Sequence, residues 1–166
     1  MTGVVRRWLA AGTLNLPLPG HGQTAQRWQQ LAALTEADVV AGRLAEAHVD
    51  AVAILAELDG LAPKAGQWWG VWAAEAPDAV LKVDDASGRI LLDGTKVWCS
   101  GAGLCTHALV TARLSTGERG LYAVDLAAHG VRPLPSRWRN AGMAESDTRS
   151  VQFTATPAVA VGAPDL

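Results

Sequence analysis

The sequence has little of what marks disulfide-stapled, nucleic-acid-binding or membrane-spanning proteins. Its 166 residues include only two Cys, too few for the disulfide framework of a small secreted domain. Its formal net charge of -2 offers no basic excess that could attract nucleic acid or an anionic membrane. The clearest apolar run, at 51–56, is far shorter than the roughly 20 residues of a membrane span. We therefore expect a globular, cytoplasmic protein.

Phe and Tyr are also scarce, with one of each, whereas Trp occurs seven times. Three Trp residues fall within 68–72, and Trp98 stands two positions before Ser100. An indole beside a hydroxyl and a Gly-rich turn suits a planar ring system, because the indole stacks while polar groups bind the ring's edges. The alternative is that Trp fills a core that otherwise lacks large aromatic side chains. The composition by itself favours this second interpretation.

The sequence pattern of the first third of the chain predicts helices. Apolar residues recur every three or four positions over 40–58 and charged residues follow the opposite face, which predicts an amphipathic helix of about six turns. Thr35 and Asp38 resemble an N-terminal capping arrangement for this helix, and Gly60 is expected to end it. His48 lies at the edge of the apolar face, where we expect a packed structural imidazole.

After residue 66 the apolar period changes to two and turn residues multiply. This pattern predicts short strands, with a hairpin loop at 84–88, a turn at 93–94 and a second hairpin across 115–118. Short strands without intervening helices are typical of an antiparallel barrel or sandwich.

The change of period divides the chain into two parts. We predict an α+β fold in which a helical segment over 1–62 precedes a β domain over 63–166. The length of 166 residues suits either one ordinary domain or two small ones.

No cluster of metal ligands or nucleophiles stands out. The four His show no ligand spacing among themselves or with Cys99 and Cys105, which we expect to be small packing groups. Gly101 and Gly103 begin like a dinucleotide-binding fingerprint, but Thr106 stands where the third Gly is needed and a strand-like stretch follows. A Gly-rich turn is the better interpretation, and no metal site is expected.

Two segments resemble, in order, the signatures of acyl-CoA dehydrogenases. Residues 94–102 (GTKVWCSGA) are similar to that family's G-x-K-x-W-I-[ST]-[NG]-[AG] segment. Residues 142–153 (GMAESDTRSVQF) are similar to its second signature, G-[MQ]-R-x-S-x-T-x-x-[LV]-x-F, with Ala144 in place of the Arg. Residues 43–48 and the helix that follows are similar to the N-terminal helices of divergent members. The resemblance covers most of the chain and implies an antiparallel β-barrel like the family's middle domain.

The resemblance also implies a cofactor, FAD, and residues that hold it. In the family the Trp of the first segment lies against the flavin ring and the following hydroxyl bonds the flavin's reactive edge, roles that fall here on Trp98 and Ser100. The segment before the first hairpin also contacts the flavin in typical members, and it corresponds here to Ala74, Glu75 and their neighbours. Ser146 of the second segment is expected to contact the substrate, an acyl-CoA or related thioester.

The family carries out FAD-dependent α,β-dehydrogenation of acyl thioesters, an oxidoreductase reaction on CH-CH groups in fatty acid metabolism. Its members continue into a C-terminal helical bundle that supplies the catalytic Glu and much of the FAD site, whereas this sequence stops at Leu166. We therefore expect no catalytic residue in this chain, weak or no binding of FAD by the chain alone, and a homo-oligomer or a second chain that supplies the bundle. One alternative is a non-catalytic interaction or regulatory subunit that retains the fold. A truncated product without independent activity is another.

Overall fold

The computed structural model describes residues 2–58, 62–77, 79–85 and 88–163. Helices precede strands, as predicted, and a short 3-10 helix covers Ala144–Ser146. The helices are α1 (Thr2–Ala10), α2 (Thr24–Ala37) and α3 (Val39–Glu57). The strands are β1 (Trp69–Trp72), β2 (Leu81–Asp84), β3 (Leu91–Cys99), β4 (His107–Arg113), β5 (Arg119–Asp125), β6 (Arg132–Pro133), β7 (Arg149–Pro157) and β8 (Val159–Val161). In the described part of the chain, none of the helices has the length and apolar character to cross a membrane.

The helix α3 confirms the predicted long helix, but a different residue caps it. The Asp38 carboxylate accepts hydrogen bonds from two amides of the first turn, at 3.0 and 2.9 Å, which satisfies donors that lack partners inside the helix. The prediction of Thr35 as the cap is wrong, because Thr35 belongs to α2 and its hydroxyl donates to the Leu31 carbonyl at 2.9 Å. The predicted end at Gly60 lies outside the described residues.

The strands form one sheet in the order β6-β7-β3-β2-β4-β5-β8, with β1 paired to β4 outside this path. The pairings are antiparallel except for β1 with β4 and β2 with β4, which are parallel. The predicted α+β fold and the hairpin of β4 and β5 are confirmed. The predicted closure into a barrel is corrected, since no pairing among the described strands joins β6 to β8, the two ends of the path.

The strand β3 is continuous where a turn was predicted. Asp93 and Gly94 lie inside it, and its register with β7 shifts between Leu92 and Gly94, which marks a β-bulge. The extra residue is on β7, where Ala155 has a φ of 44° and its amide donates to the Asp93 carboxylate at 2.9 Å. Gly94 approaches the preceding strand so closely that a Cβ would lie 2.3 Å from the Val80 carbonyl oxygen. The Gly is therefore needed for a close strand contact instead of a turn.

The helix α3 lies between the other helices and the sheet. One side packs with α1, α2 and the buried Trp68, and the other packs with β1, β4 and β5. This is why its buried surface is wider than the single apolar face that the sequence predicts. On β4, Leu109 belongs to the cluster under α3, whereas Ala108 and Val110 belong to a separate apolar cluster within the sheet. Both faces of β4 are thus buried.

His48 joins α3 to β1. Its Nδ1 accepts the backbone amide of Trp69 at 3.2 Å, so the neutral ring carries its proton on Nε2. The residue is 5% exposed, and burial lowers the pKa of His48 from 6.5 to about 4. The predicted role as a packed structural imidazole is confirmed.

We expect His48 to reduce the free energy of unfolding as the pH falls from 6.5 to about 4. In this range the unfolded residue binds a proton that the folded ring excludes. The free energy of unfolding therefore has its full value above the unfolded pKa, and it decreases as the pH falls towards the folded pKa. The loss approaches roughly 1.4 kcal/mol per pH unit. Urea unfolding at about pH 4.5 and about pH 7 should show a larger loss for the wild type than for His48→Gln, whose amide oxygen can still accept from Trp69. Equal losses in the two proteins would contradict this role.

Candidate functional site

A groove of about 600 Å³ lies along β3 and β7, bordered by the connection between β6 and β7. Its volume is in the range of sites that bind small organic ligands. Two indoles and two guanidinium groups line it, and no described lining residue carries a carboxylate. The lining residues are Ala76, Thr95, Val97, Trp98, Leu134, Pro135, Arg137, Trp138, Thr148, Arg149 and Ser150.

Trp98 reaches the groove because of a second bulge. The register of β3 with β7 shifts between Lys96 and Cys99, with the extra residue on β3. The bulge changes the alternation of the strand, so that Lys96 and Cys99 are both buried while Trp98 is 59% exposed. Trp98 has a φ of 55°, in the left-handed region, which costs a non-glycine residue on the order of 1–3 kcal/mol. Strain of this kind, on a large exposed side chain, is typical of a binding surface.

The connection between β6 and β7 forms one wall of the groove, and two hydrogen bonds order it. The amide of Leu134 donates to the Ser150 carbonyl at 2.8 Å, which extends the pairing of β6 with β7. Further along, Trp138 Nε1 donates to the Gly142 carbonyl at 3.0 Å. Arg137 and Trp138 lie at the rim of the groove, where both side chains remain exposed.

Three hydroxyl groups meet at Thr148. Its Oγ1 lies 3.0 Å from Ser100 Oγ and 2.8 Å from Ser146 Oγ. Of the three residues, Thr148 lines the groove, and Ser146 is buried. The sequence assigns ligand contacts to Ser100 and Ser146, whereas the structure gives the groove-lining position to Thr148.

Hydrogen bonds bring the two motif segments together beside the groove. Two amides of the turn after β3 donate to the carbonyls of Ser146 and Asp147, at 2.7 and 3.2 Å. The Gly103 amide donates to Asp147 Oδ2 at 2.8 Å. The other carboxylate oxygen of Asp147 accepts from Arg149 Nε at 2.5 Å. Asp147 therefore fixes the turn and neutralises one of the two guanidinium groups in the groove.

The predicted cofactor residues Ala74 and Glu75 do not line the groove, although their neighbour Ala76 does. Glu75 forms an ion pair with Arg113, with 2.7 Å between the carboxylate and the guanidinium. The structure thus brings the segment before the first hairpin to the site and directs its carboxylate to a surface ion pair.

Lys96, the Lys of the first motif, is buried. Its Nζ donates to the carbonyl and the hydroxyl oxygen of Thr111, at 2.8 and 2.7 Å. Burial lowers the pKa of Lys96, and the negative charge of Glu75 opposes this. These contacts assign Lys96 to the interior of the sheet.

The two thiols have the packing role that the sequence predicts. Burial raises the pKa of Cys99 and of Cys105 to about 12, so neither is a reactive thiolate at neutral pH. Over the described ranges, no group of three or more His, Cys, Asp and Glu side chains could hold a metal ion.

The Trp residues divide between the core and the groove. Trp68, Trp69 and Trp72 are buried in the core, whereas Trp98 and Trp138 are exposed on the groove.

Thr148, Trp138 and Arg137 are among the groove residues that the sequence interpretation missed. Thr148 belongs to the second motif, so the motif itself carried a signal for it. Trp138 and Arg137 lie in an irregular connection, where no periodicity tells which side chains face the sheet.

No protein-family model matches the sequence, and no curated protein matches it. Solved structures do match. Nitrososynthase from Micromonospora carbonacea var. africana is 22% identical with a TM-score of 0.72, over 96% of this chain and 48% of its own. Dibenzothiophene monooxygenase TdsC from Paenibacillus sp. A11-2, in complex with FMN and indole, is 19% identical with a TM-score of 0.69, over 98% of this chain and 51% of its own. A steroid ACAD is 22% identical with a TM-score of 0.60, over 98% of this chain and 48% of its own.

The chain therefore has the fold of acyl-CoA dehydrogenase-like proteins, and it spans about half the length of these structural neighbours. The resemblance that two short motifs suggested is confirmed at the level of the fold.

We expect Trp98→Gly to leave the free energy of unfolding unchanged or to raise it by about 1 kcal/mol, because Gly adopts a positive φ without strain. Trp72→Ala should instead cost about 3–5 kcal/mol, because its indole is buried and donates to the Ser100 carbonyl at 2.9 Å. Urea unfolding followed by far-UV circular dichroism measures both changes. A loss at Trp98 as large as that at Trp72 would identify Trp98 as a core residue.

Proposed function

We propose that this chain is the flavin-binding half of an acyl-CoA dehydrogenase-like flavoprotein. The observation that carries the proposal is the exposed indole of Trp98, held at a positive φ on a groove that also presents the Thr148 hydroxyl. A flavin is planar with polar edges, which suits an indole face and a hydroxyl donor. TdsC, which shares the fold, was solved with FMN. The motif resemblance favours FAD as the form that this chain binds.

The residues present fit such a ligand. The volume of about 600 Å³ suits a bound ring system, and Trp98 and Trp138 offer apolar faces. Thr95 and Ser150 add small hydroxyl side chains along β3 and β7. A bound flavin would supply the redox chemistry by accepting a hydride, and these side chains would hold and orient it.

In the proposed site Thr148 donates a hydrogen bond to a polar edge of the ring, and Ser100 positions Thr148. The proposal requires the Ser146 hydroxyl, whose Oγ lies 2.8 Å from Thr148 Oγ1, to donate to Thr148, so that the Thr148 proton is directed to an acceptor in the groove. The motif resemblance gives the ligand contact to Ser100, whose Oγ lies one hydrogen bond behind the groove-lining hydroxyl.

The proposed site holds no group that could remove a proton from a substrate. Among the described lining residues, the charged side chains are those of Arg137 and Arg149, and a guanidinium only donates hydrogen bonds. Glu75 is engaged with Arg113. We therefore propose that dehydrogenation of an acyl thioester depends on a base supplied by a helical bundle outside the residues described here. The same lack of a base favours the second candidate function, a non-catalytic subunit that retains the fold.

We expect the chain to bind FAD and FMN weakly, with a change in flavin fluorescence as the readout. Trp98→Gly should weaken binding by about three- to tenfold because the stacking contact is lost. Thr148→Val should weaken it by a similar factor because the hydrogen bond is lost. Trp28→Ala is the matched control, since Trp28 is 63% exposed on α2 and lies outside the groove. Flavin binding that is unchanged in Trp98→Gly, or that is absent in the wild type, would contradict the proposed site.

We expect no acyl-CoA dehydrogenation by the isolated chain, because general-base assistance alone contributes about 10²–10⁴-fold to such rates. The assay combines the chain with FAD, a panel of acyl-CoAs and an electron acceptor, with and without a chain that carries the helical bundle. Activity that needs both chains would support the split dehydrogenase. Turnover by this chain alone would mean that it holds a base, and Glu75 and Glu145 would be the first residues to mutate.

A further inference from the structure

We propose that Arg137 binds a phosphate group of the groove's ligand, so that the groove selects a phosphorylated flavin over uncharged riboflavin. This inference rests on the proposed function, and it adds the residue that recognises the anionic part of the cofactor.

The first argument is the state of the Arg side chains. Within the described ranges, four of them form ion pairs: Arg27 with Asp50, Arg43 with Glu46, Arg113 with Glu75 and Arg149 with Asp147. Arg137 is exposed on the groove and has no hydrogen bond or ion pair with any described residue. Its guanidinium is therefore available to a ligand.

The second argument is the charge of the groove. Arg149 also lines it, but Asp147 neutralises this side chain and is itself fixed by the Gly103 amide. No carboxylate is present among the described lining residues to neutralise Arg137. A groove with one uncompensated positive charge favours an anionic ligand over a neutral ligand of the same shape.

The third argument is the position of Arg137. It directly precedes Trp138, whose indole donates to the Gly142 carbonyl at 3.0 Å, and it follows the contact of Leu134 with Ser150 by three residues. The contact of Leu134 with Ser150 anchors the start of this connection to β7, and the bond from Trp138 to Gly142 orders the residues after Arg137, so that less conformational freedom is lost when a ligand binds. An aromatic wall beside an unpaired guanidinium suits a planar ring that carries a phosphate.

The chemistry of the guanidinium–phosphate pair determines how strongly the groove prefers a phosphorylated ligand. A guanidinium presents its donors in a planar fork that matches two phosphate oxygens. The pair is exposed at the rim and is therefore screened by salt, since the Debye length is about 10 Å at 0.1 M. We expect a preference of about tenfold for the phosphorylated ligand at low ionic strength, and a smaller preference at about 0.5 M salt.

The experiment compares FMN with riboflavin, which differ only in the 5′-phosphate. Dissociation constants for both are measured by flavin fluorescence with the wild type, Arg137→Gln and Arg139→Gln. Arg139 is the matched control, because it is an exposed Arg two positions away that does not line the groove. Both substitutions are at the surface, and far-UV circular dichroism checks that each variant is folded.

We expect the wild type and Arg139→Gln to prefer FMN by about tenfold, and Arg137→Gln to bind the two ligands equally, with its riboflavin affinity unchanged. Equal affinities in the wild type would overturn the role of Arg137 while leaving the flavin site intact. A preference that persists in Arg137→Gln, or that Arg139→Gln loses to the same extent, would overturn it as well. If the wild type binds neither ligand, the proposed flavin site fails and this inference fails with it.

Discussion

The turn after β3 is held against the segment before β7 by backbone amides and the Asp147 carboxylate, and the groove depends on this contact. It joins positions that are 44 residues apart in the sequence. Trp98 lies just before the turn and Thr148 just after Asp147, so the same hydrogen bonds place both. Met143 and Asp147 have φ values of 60° and 49°, in the left-handed region, and the bonds to the turn help to offset that strain.

Much of the fold could be predicted, because the helix α3 and the hairpin of β4 and β5 are set by local periodicity. The errors arise where contacts between distant residues decide the structure. The Asp93-Gly94 pair has the composition of a turn, but its Gly serves the close approach to Val80. The strand β1 is four residues long and pairs in parallel with β4, which no alternation in its sequence reveals.

The candidate site, like the fold, could be predicted from the sequence only in part. The position of Trp98 followed from a motif, but its exposure depends on a bulge that reverses the alternation of β3 between Lys96 and Cys99. That bulge depends on how β3 pairs with β7, and the sequence of β3 alone does not determine this pairing. Arg137 could not be predicted, since its place on the groove is set by hydrogen bonds of an irregular connection.

The position of α3 between two apolar clusters also affects how the chain opens. Amide hydrogen exchange from a helix requires an opening whose free energy grows with the apolar surface that it exposes. Detaching α3 would expose the cluster shared with α1 and α2 and also the cluster shared with β1, β4 and β5. Its amides should therefore exchange only when the whole chain unfolds. A cut between residues 62 and 63, where the sequence changes period, would separate α3 from the strands β1, β4 and β5 against which it packs.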